Sequence, residues 1–206
     1  MPATAIALAD FDQVSDACGR LVTGVRPDQW ALPTPCAEWD VRRLVDHLIA
    51  GNRMFTLIAG GERPEGEEEF QRLRARVAPA VEDDRVAAFL SSGAELRHAF
   101  SDPDFPEGTY PMPAGEQPGE FLIQMRTTEG LIHGWDLAHA TGQTAAFPEA
   151  VVEQTLATVR VTLAGRPRDS RGFGPAQPVA EDAPPSTAWP PSSAARSSRH
   201  RGRRRG

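Results

Sequence analysis

Two residues with metal-binding side chains, Glu129 and His133, lie four positions apart in the segment EFLIQMRTTEGLIHGWDLAHATG (120–142). The apolar spacing of this segment predicts a helix, on which the two side chains lie about 40° apart around one face. Glu129 falls on the inward stripe, where a carboxylate without compensation is costly. A cation between the two side chains would offset that cost, because an i,i+4 pair lets one helix offer two ligands to one metal ion.

His47 is the third candidate ligand, in the segment VRRLVDHLIAGNRMFTLIA (41–59). It lies at the edge of the apolar face of a predicted helix, and Gly51 is expected to leave space one turn beyond the imidazole. Two imidazoles and one carboxylate leave a fourth position open, which is the catalytic rather than the structural arrangement for zinc. The sequence therefore predicts that His47, Glu129 and His133 bind one divalent metal ion, with zinc as the first candidate. A thiol or water on that ion would be deprotonated near neutral pH.

Each of these residue types also has a structural interpretation. An E-x-x-x-H pair on a helix often forms a surface ion pair, and a lone histidine such as His47 is often bonded to the backbone. Asp136 could be a metal ligand, but it is interpreted rather as an acid that orients a ligand or as part of a packing ion pair. Cys36 is either a reactive thiol near a helix N-terminus or a packed linker residue. His139 falls on a different face and is expected to be solvated.

Apolar periodicity predicts five helices that would position these residues, and it predicts no strand of comparable strength. Asp40 is expected to cap the second helix, with glycines after the ends of the second and fourth. The acidic stretch 62–70 is expected to be a mobile loop, and the tryptophans Trp30, Trp39 and Trp135 to pack at bundle ends. Helices of this length joined by loops favour an all-α, up-and-down bundle. The predicted helices cover roughly 4–23, 41–59, 81–100 (with Val86, Phe89, Leu90, Leu96 and Phe100 inward), 119–140 and 148–165.

Charge and composition exclude several classes of function. The formal net charge is -6, and six arginines fall in residues 191–206; without their positive charge, residues 1–190 carry -12. Such an acidic body is not expected to bind nucleic acid or anionic lipid. No apolar run approaches the roughly 18 residues needed to cross a bilayer, and no signal peptide is recognised. Two cysteines form no disulfide framework, so a cytoplasmic location is expected.

Two segments together resemble the metal-binding domain of mycothiol-dependent maleylpyruvate isomerases: TPCAEWDVRRLVDHLIAGN (34–52) and EGLIHGWDLAHATGQ (129–143). The resemblance extends over about residues 5–165 and implies a DinB-like four-helix bundle with an extra C-terminal helix. It also implies that residues at His47, Glu129 and His133 bind zinc, and that mycothiol is a cofactor. The isomerase proper has a further C-terminal domain, for which this chain has little room, so the chain resembles one of the shorter relatives.

These observations predict a thiol-dependent transferase or isomerase, whose partners would be a small-molecule thiol and an electrophilic substrate. The alternative is a non-catalytic metal- or ligand-binding module of the same fold. Residues 1–165 are expected to form the bundle, 166–190 an irregular extension, and 191–206 a disordered, arginine-rich tail. A one-base shift of chosen codons for residues 185–195 gives Leu-Asp-Arg-Val-Ala-Ala-Phe-Leu-Gly-Arg, the ending expected of such relatives. The tail is therefore interpreted as a frameshift product, with a basic arm that contacts nucleic acid as the competing interpretation.

Overall fold

The computed structural model describes residues 8–36, 39–78 and 84–163, except for the side chains of 160–163. The predictions for 166–190 and 191–206 therefore lie outside the described residues. Within these ranges the chain is helical, with one short hairpin in the long connection before the fifth helix. The elements are α1 (Leu8–Thr23), α2 (Val41–Ala59), α3 (Gly66–Val77), α4 (Arg85–Phe100), β1 (Thr109–Tyr110), β2 (Gln117–Pro118), α5 (Gly119–Thr141) and α6 (Glu149–Leu163).

Helices α1, α2, α4 and α5 form a four-helix bundle, in which α2 packs on α4 and α5, and α1 packs on α5 and α4. The predicted all-α bundle is thus confirmed. Helix α2 runs in the same direction as α4, because Arg85 pairs with Asp46 and Ser92 meets Asn52 further along both helices. Helix α3 lies between them in the chain, in the crossover that makes this parallel arrangement possible, so the directions of the helices differ from the predicted up-and-down order.

The second helix begins and ends where the sequence predicts. The Asp40 carboxylate accepts a hydrogen bond from the backbone N–H of Arg43 at 2.8 Å, which satisfies one of the free donors of the first turn. Gly60 follows its last residue. Helix α5 ends at Gly142, whose φ of 67° is in the left-handed region that favours glycine. These caps fix the lengths of the two helices that carry the candidate ligands.

The predicted mobile loop at 62–70 is wrong, because α3 begins within it. Three apolar residues at helical spacing, Phe70, Leu73 and Val77, are buried against the rest of the protein. Acidic residues in the first turn and arginines in the last turn complement the helix dipole. The run of glutamates, interpreted as a solvated loop, is therefore the N-terminal end of an amphipathic helix.

Two apolar clusters fill the bundle. One includes Leu44, Val45, Leu48 and Leu131, and the other includes Phe55, Ile58, Leu122 and Ile123. Between them, α2 and α5 face each other with polar side chains, and this polar layer holds the candidate ligands. In the described part of the chain, no helix is both long and apolar enough to cross a membrane.

One residue that the sequence places inside lies outside. Leu90 is 48% exposed, although its neighbour Phe89 is buried. Its side chain lies over Gly19 of α1, where an added Cβ would be only 3.3 Å from a Leu90 methyl group. The apolar face of α4 is therefore narrower than the predicted one.

Candidate metal centre

The structure brings His47, Glu129 and His133 together at the interface of α2 and α5. Oε2 of Glu129 lies 3.1 Å from Nε2 of His47 and 3.3 Å from Nε2 of His133. The single turn between Glu129 and His133 places both side chains on the same face of α5, and the antiparallel α2 supplies His47 from the other side. Three potential ligand atoms from separate turns therefore meet at one point.

The donor set fits a divalent transition metal. All three ligand atoms lie within 4.8 Å of one another. With metal–ligand distances of about 2.1 Å, two ligands of a tetrahedral zinc ion lie about 3.4 Å apart, close to the separations around Glu129. Two neutral imidazoles and one carboxylate are ligands of the kind that zinc binds.

The candidate centre is open to solvent on one side. The side chains of His47 and Glu129 are 38% and 33% exposed, whereas that of His133 is only 9% exposed. A small molecule can therefore approach from the side of His47 and Glu129. This asymmetry fits a site with a free coordination position rather than a closed structural site.

Buried partners hold His133 from behind. Oδ2 of Asp136 lies 3.3 Å from Nδ1 of His133, and the Cys36 thiol donates a hydrogen bond to the same oxygen at 3.1 Å. When His133 is neutral, a carboxylate at Nδ1 favours the tautomer in which Nε2 can offer its lone pair to a metal ion. Cys36, His133 and Asp136 are themselves close enough to form a second set of potential ligands. Because all three are buried, we interpret Asp136 and Cys36 as support for the first set.

Trp39 covers the two imidazoles. Its ring centroid lies 4.8 Å from that of His47 and 5.6 Å from that of His133. The connection before α2 holds it there, since Thr34 donates its hydroxyl to the carbonyl of Trp39 at 3.0 Å. Trp39 also packs on the adjoining apolar cluster, as the sequence predicts for a bundle-end residue. Its contact with both histidines was not predicted.

Arg126 lies one turn of α5 below Glu129 and occupies the space expected to be empty beside Gly51. An added Cβ at Gly51 would come within 2.5 Å of Nη1 of Arg126. Nη2 donates to Oδ1 of Asn52 at 2.9 Å, and the guanidinium carbon lies 5.4 Å from the centroid of the Phe55 ring. The glycine therefore admits a guanidinium rather than giving the imidazole more room.

The ionisation of the three candidate ligands is coupled. Burial acts to raise the pKa of Glu129, but hydrogen bonds from His133 and His47 hold that pKa well below its usual value. Burial acts to lower the pKa of His133, but hydrogen bonds with Asp136, Cys36 and Glu129 raise it well above the usual value. For His47 burial prevails and lowers the pKa. These directions favour a Glu129 carboxylate facing a protonated His133, and a metal ion would replace that proton.

The sequence indicated the three residues that come together, His47, Glu129 and His133, and a supporting position for Asp136. It did not indicate all of the side chains around them. Cys36 is buried and bonded to Asp136, which fits the packed linker residue rather than the exposed reactive thiol. His139 is exposed, as predicted, and stacks on Trp135. Arg126 was missed, because its contacts with Gly51 and Asn52 join segments that are distant in the sequence.

Solved structures with this arrangement of helices define the class of the protein as a DinB-like helical bundle. The chain is similar to a histidine-to-alanine mutant of mycothiol-dependent maleylpyruvate isomerase, with a TM-score of 0.61 and 18% identity, over 91% of this chain and 79% of the other. A second crystal structure of mycothiol-dependent maleylpyruvate isomerase gives a TM-score of 0.56 and 20% identity, over 73% of this chain and 66% of the other. At these identities the likeness shows the fold, and the predicted DinB-like bundle is confirmed.

The sequence profile described as "Mycothiol maleylpyruvate isomerase N-terminal domain" matches residues 11–138. The chain belongs to this family, as the resemblance of its two motifs indicated. It is also 35% identical over 187 residues to two uncharacterized proteins of Mycobacterium tuberculosis, one from strain CDC 1551 and one from strain H37Rv. Each match spans 89% of this chain and 91% of the relative.

Proposed function

We propose that this protein is a metal- and thiol-dependent transferase or isomerase that acts on small electrophilic molecules in the cytoplasm. The observation that carries the proposal is the convergence of His47, Glu129 and His133, whose ligand atoms lie within 4.8 Å of one another. Zinc is the first candidate for the metal, because two imidazoles and one carboxylate with an open side are typical of catalytic zinc. Mycothiol is the proposed thiol, since the matched family is described by that cofactor.

The residues of the chain have separate tasks in this proposal. His47, Glu129 and His133 hold the ion, and Asp136 orients His133 through its Nδ1 nitrogen. The bound ion supplies the lowered pKa that makes a thiol a nucleophile at neutral pH. Trp39 limits the access of water to the two imidazoles. The exposed side of His47 and Glu129 admits the thiol and its electrophile.

Loss of thiol and electrophile tests this proposal. The metal-loaded protein would be incubated with mycothiol and a panel of electrophiles, and both free thiol and electrophile would be followed with time, because a transferase consumes the thiol whereas an isomerase releases it again. We expect loss of an electrophile with the wild type and none above background with His47→Ala, because that variant lacks one ligand. His139→Ala is the matched control, since His139 is an exposed histidine on α5, and it should behave as wild type. A metal-loaded wild type that is inert toward the whole panel would contradict the enzyme and indicate a metal-binding module.

A further inference from the structure

Arg126 is a cation buried in the polar layer directly below the candidate ligands. Arg126 as a whole is only 5% exposed. It precedes Glu129 by three positions, which is about one helical turn. The side chain is held in place by the 2.9 Å hydrogen bond from Nη2 to Asn52 and by the Phe55 ring. Burial lowers the pKa of Arg126, although the charge of Glu129 acts to raise it.

The partners that hold Arg126 are neutral. Asn52 donates through Nδ2 to the Ser92 hydroxyl at 3.3 Å, and Ser92 donates to the carbonyl of Phe89 at 3.0 Å. This chain of amide, hydroxyl and carbonyl groups ends without an acid. Over residues 8–36, 39–78 and 84–163, no carboxylate forms an ion pair with Arg126, and its Nε nitrogen is buried without a hydrogen-bond partner. A buried cation with a free donor is costly unless another group compensates it.

Gly51 lets the guanidinium lie close to the candidate ligands. The Cβ of any other residue at position 51 would come within 2.5 Å of Nη1. Gly51 is half-buried and follows His47 by four residues, one turn along the same face of α2. The guanidinium therefore lies at the interface of α2 and α5, one turn from the triad His47, Glu129 and His133.

The charge of the site changes when a divalent ion binds. Before binding, the charge of Glu129 attracts Arg126 electrostatically. A doubly charged ion on Glu129 and two neutral imidazoles leaves one positive charge at the ligands, and Arg126 adds another. Two positive charges in a partly desolvated site favour an anionic ligand. The planar fork of a guanidinium matches a carboxylate better than any other common small anion except phosphate.

We propose that Arg126, which lies beside Gly51 with an unpartnered Nε one turn from the triad, binds a carboxylate of the small molecule that is held at the metal centre. The inference deepens the proposed function and rests on it, because the ligand is placed by the metal. It assigns Arg126 to ligand specificity: molecules with a carboxylate within reach of the guanidinium bind, and neutral analogues of the same shape bind weakly. The carboxylate belongs either to the thiol or to its electrophilic partner.

Binding of matched thiols to the Co²⁺-loaded protein tests this assignment, with the visible absorption of the cobalt as the readout. The probes are 3-mercaptopropionate and its neutral amide, 3-mercaptopropanamide. A second arm titrates succinate, with succinamide as its neutral analogue, in the presence of saturating 2-mercaptoethanol. We expect the wild type to bind the acid about tenfold or more tightly than the amide in at least one arm, as a charge-assisted hydrogen bond predicts.

Three variants separate this role from a structural one. Arg126→Met should keep the fold, because an apolar side chain of similar length replaces a buried cation, and it should bind acid and amide equally. Arg126→Lys should keep only part of the preference, since lysine lacks the planar fork. Gly51→Ala leaves Arg126 in the chain but adds a methyl group against Nη1, and should weaken acid binding alone. Arg74→Met, an exposed arginine on α3, is the matched control.

Each outcome bears on one proposal. Equal binding of acid and amide by the wild type in both arms would overturn the assignment of Arg126, as would a preference that persists in Arg126→Met. In both cases the thiols still change the cobalt spectrum, so the proposed function stands. A cobalt-loaded protein whose spectrum no thiol changes would contradict the proposed function and this inference with it.

Discussion

Helix α5 has two sides that are built on opposite principles. Toward α1 it presents glycines: a Cβ at Gly130 would meet Val14 at 2.9 Å, and one at Gly134 would meet Sγ of Cys18 at 3.1 Å. Toward α2 it presents Arg126, Glu129 and His133, so that ionisable groups meet in the interior. The first side brings two helix backbones close and leaves no room for larger side chains. The second side holds charged groups that a bound cation would compensate.

The two sides of α5 contribute to stability and to function in different ways. The glycine side contributes by close packing, which acts in the protein whether or not a ligand is bound. The charged side is expensive alone and becomes favourable when a cation binds, because that binding energy is added to the folding energy. The two sides should therefore respond differently to metal, to packing changes and to removal of the supporting acids.

The largest expected effect is metal removal. A chelator in excess should lower the free energy of unfolding by about 4 kcal/mol relative to protein with free metal at about 1,000 times the dissociation constant. Thermal or urea unfolding of both forms measures this difference. Glu129→Ala is the control, because a variant without the site should unfold alike in metal and in chelator. If chelator lowers the free energy of unfolding of Glu129→Ala by the same amount, the stabilising metal does not bind at the charged side.

A packing change on the glycine side should destabilise the protein regardless of metal. We expect Gly134→Val to cost about 1–3 kcal/mol, since the added atoms meet Phe147 and Cys18 at van der Waals distance or closer. Urea unfolding with and without chelator measures the cost. Ala94→Val, at an exposed position of α4, is the control and should cost about 0.5 kcal/mol. A cost for Gly134→Val that disappears without metal would show that the two sides are not independent.

Much of this contrast could be predicted from the sequence. Apolar spacing and the caps at Asp40 and Gly142 gave the helices of the bundle, because local chemistry decides where such helices begin and end. The pair Glu129 and His133 indicated the charged side through an acid on an apolar stripe. Helix α3 was missed because its glutamates dominate the composition and conceal the spacing of Phe70, Leu73 and Val77. The positions of Arg126 and Trp39 depend on contacts between distant segments, which helical periodicity does not contain.

The acid behind His133 should matter for metal affinity more than for folding. Asp136→Asn is expected to weaken metal binding about 10–100-fold, because the amide no longer favours the required tautomer of His133. Competition with a chromophoric chelator measures the affinity. Asp16→Asn is the control, an exposed aspartate on α1. Unchanged affinity in Asp136→Asn would remove Asp136 from the support of the site.

The smallest expected effect is optical. Metal binding should change the tryptophan fluorescence of the wild type, since the Trp39 ring lies against both imidazoles. We expect Trp39→Phe to remove most of this fluorescence change. Its metal affinity should stay within about threefold of the wild type, because Trp39 packs on the ligands and is not itself a ligand. Trp30→Phe, a second tryptophan packed on the same apolar cluster, should retain the change. The reverse pattern would place the metal away from Trp39.

The metal content of the purified protein, after incubation with Zn²⁺ and removal of free ion, shows directly whether His47, Glu129 and His133 bind a metal ion. Elemental analysis should find about one zinc ion per wild-type chain, and little or none in Glu129→Gln, which keeps the shape of the side chain but loses its charge. Glu120→Gln, an exposed glutamate of α5, should retain the full content. A wild type without zinc, or a Glu129→Gln variant that holds as much zinc as the wild type, would show that these three residues do not form a zinc site.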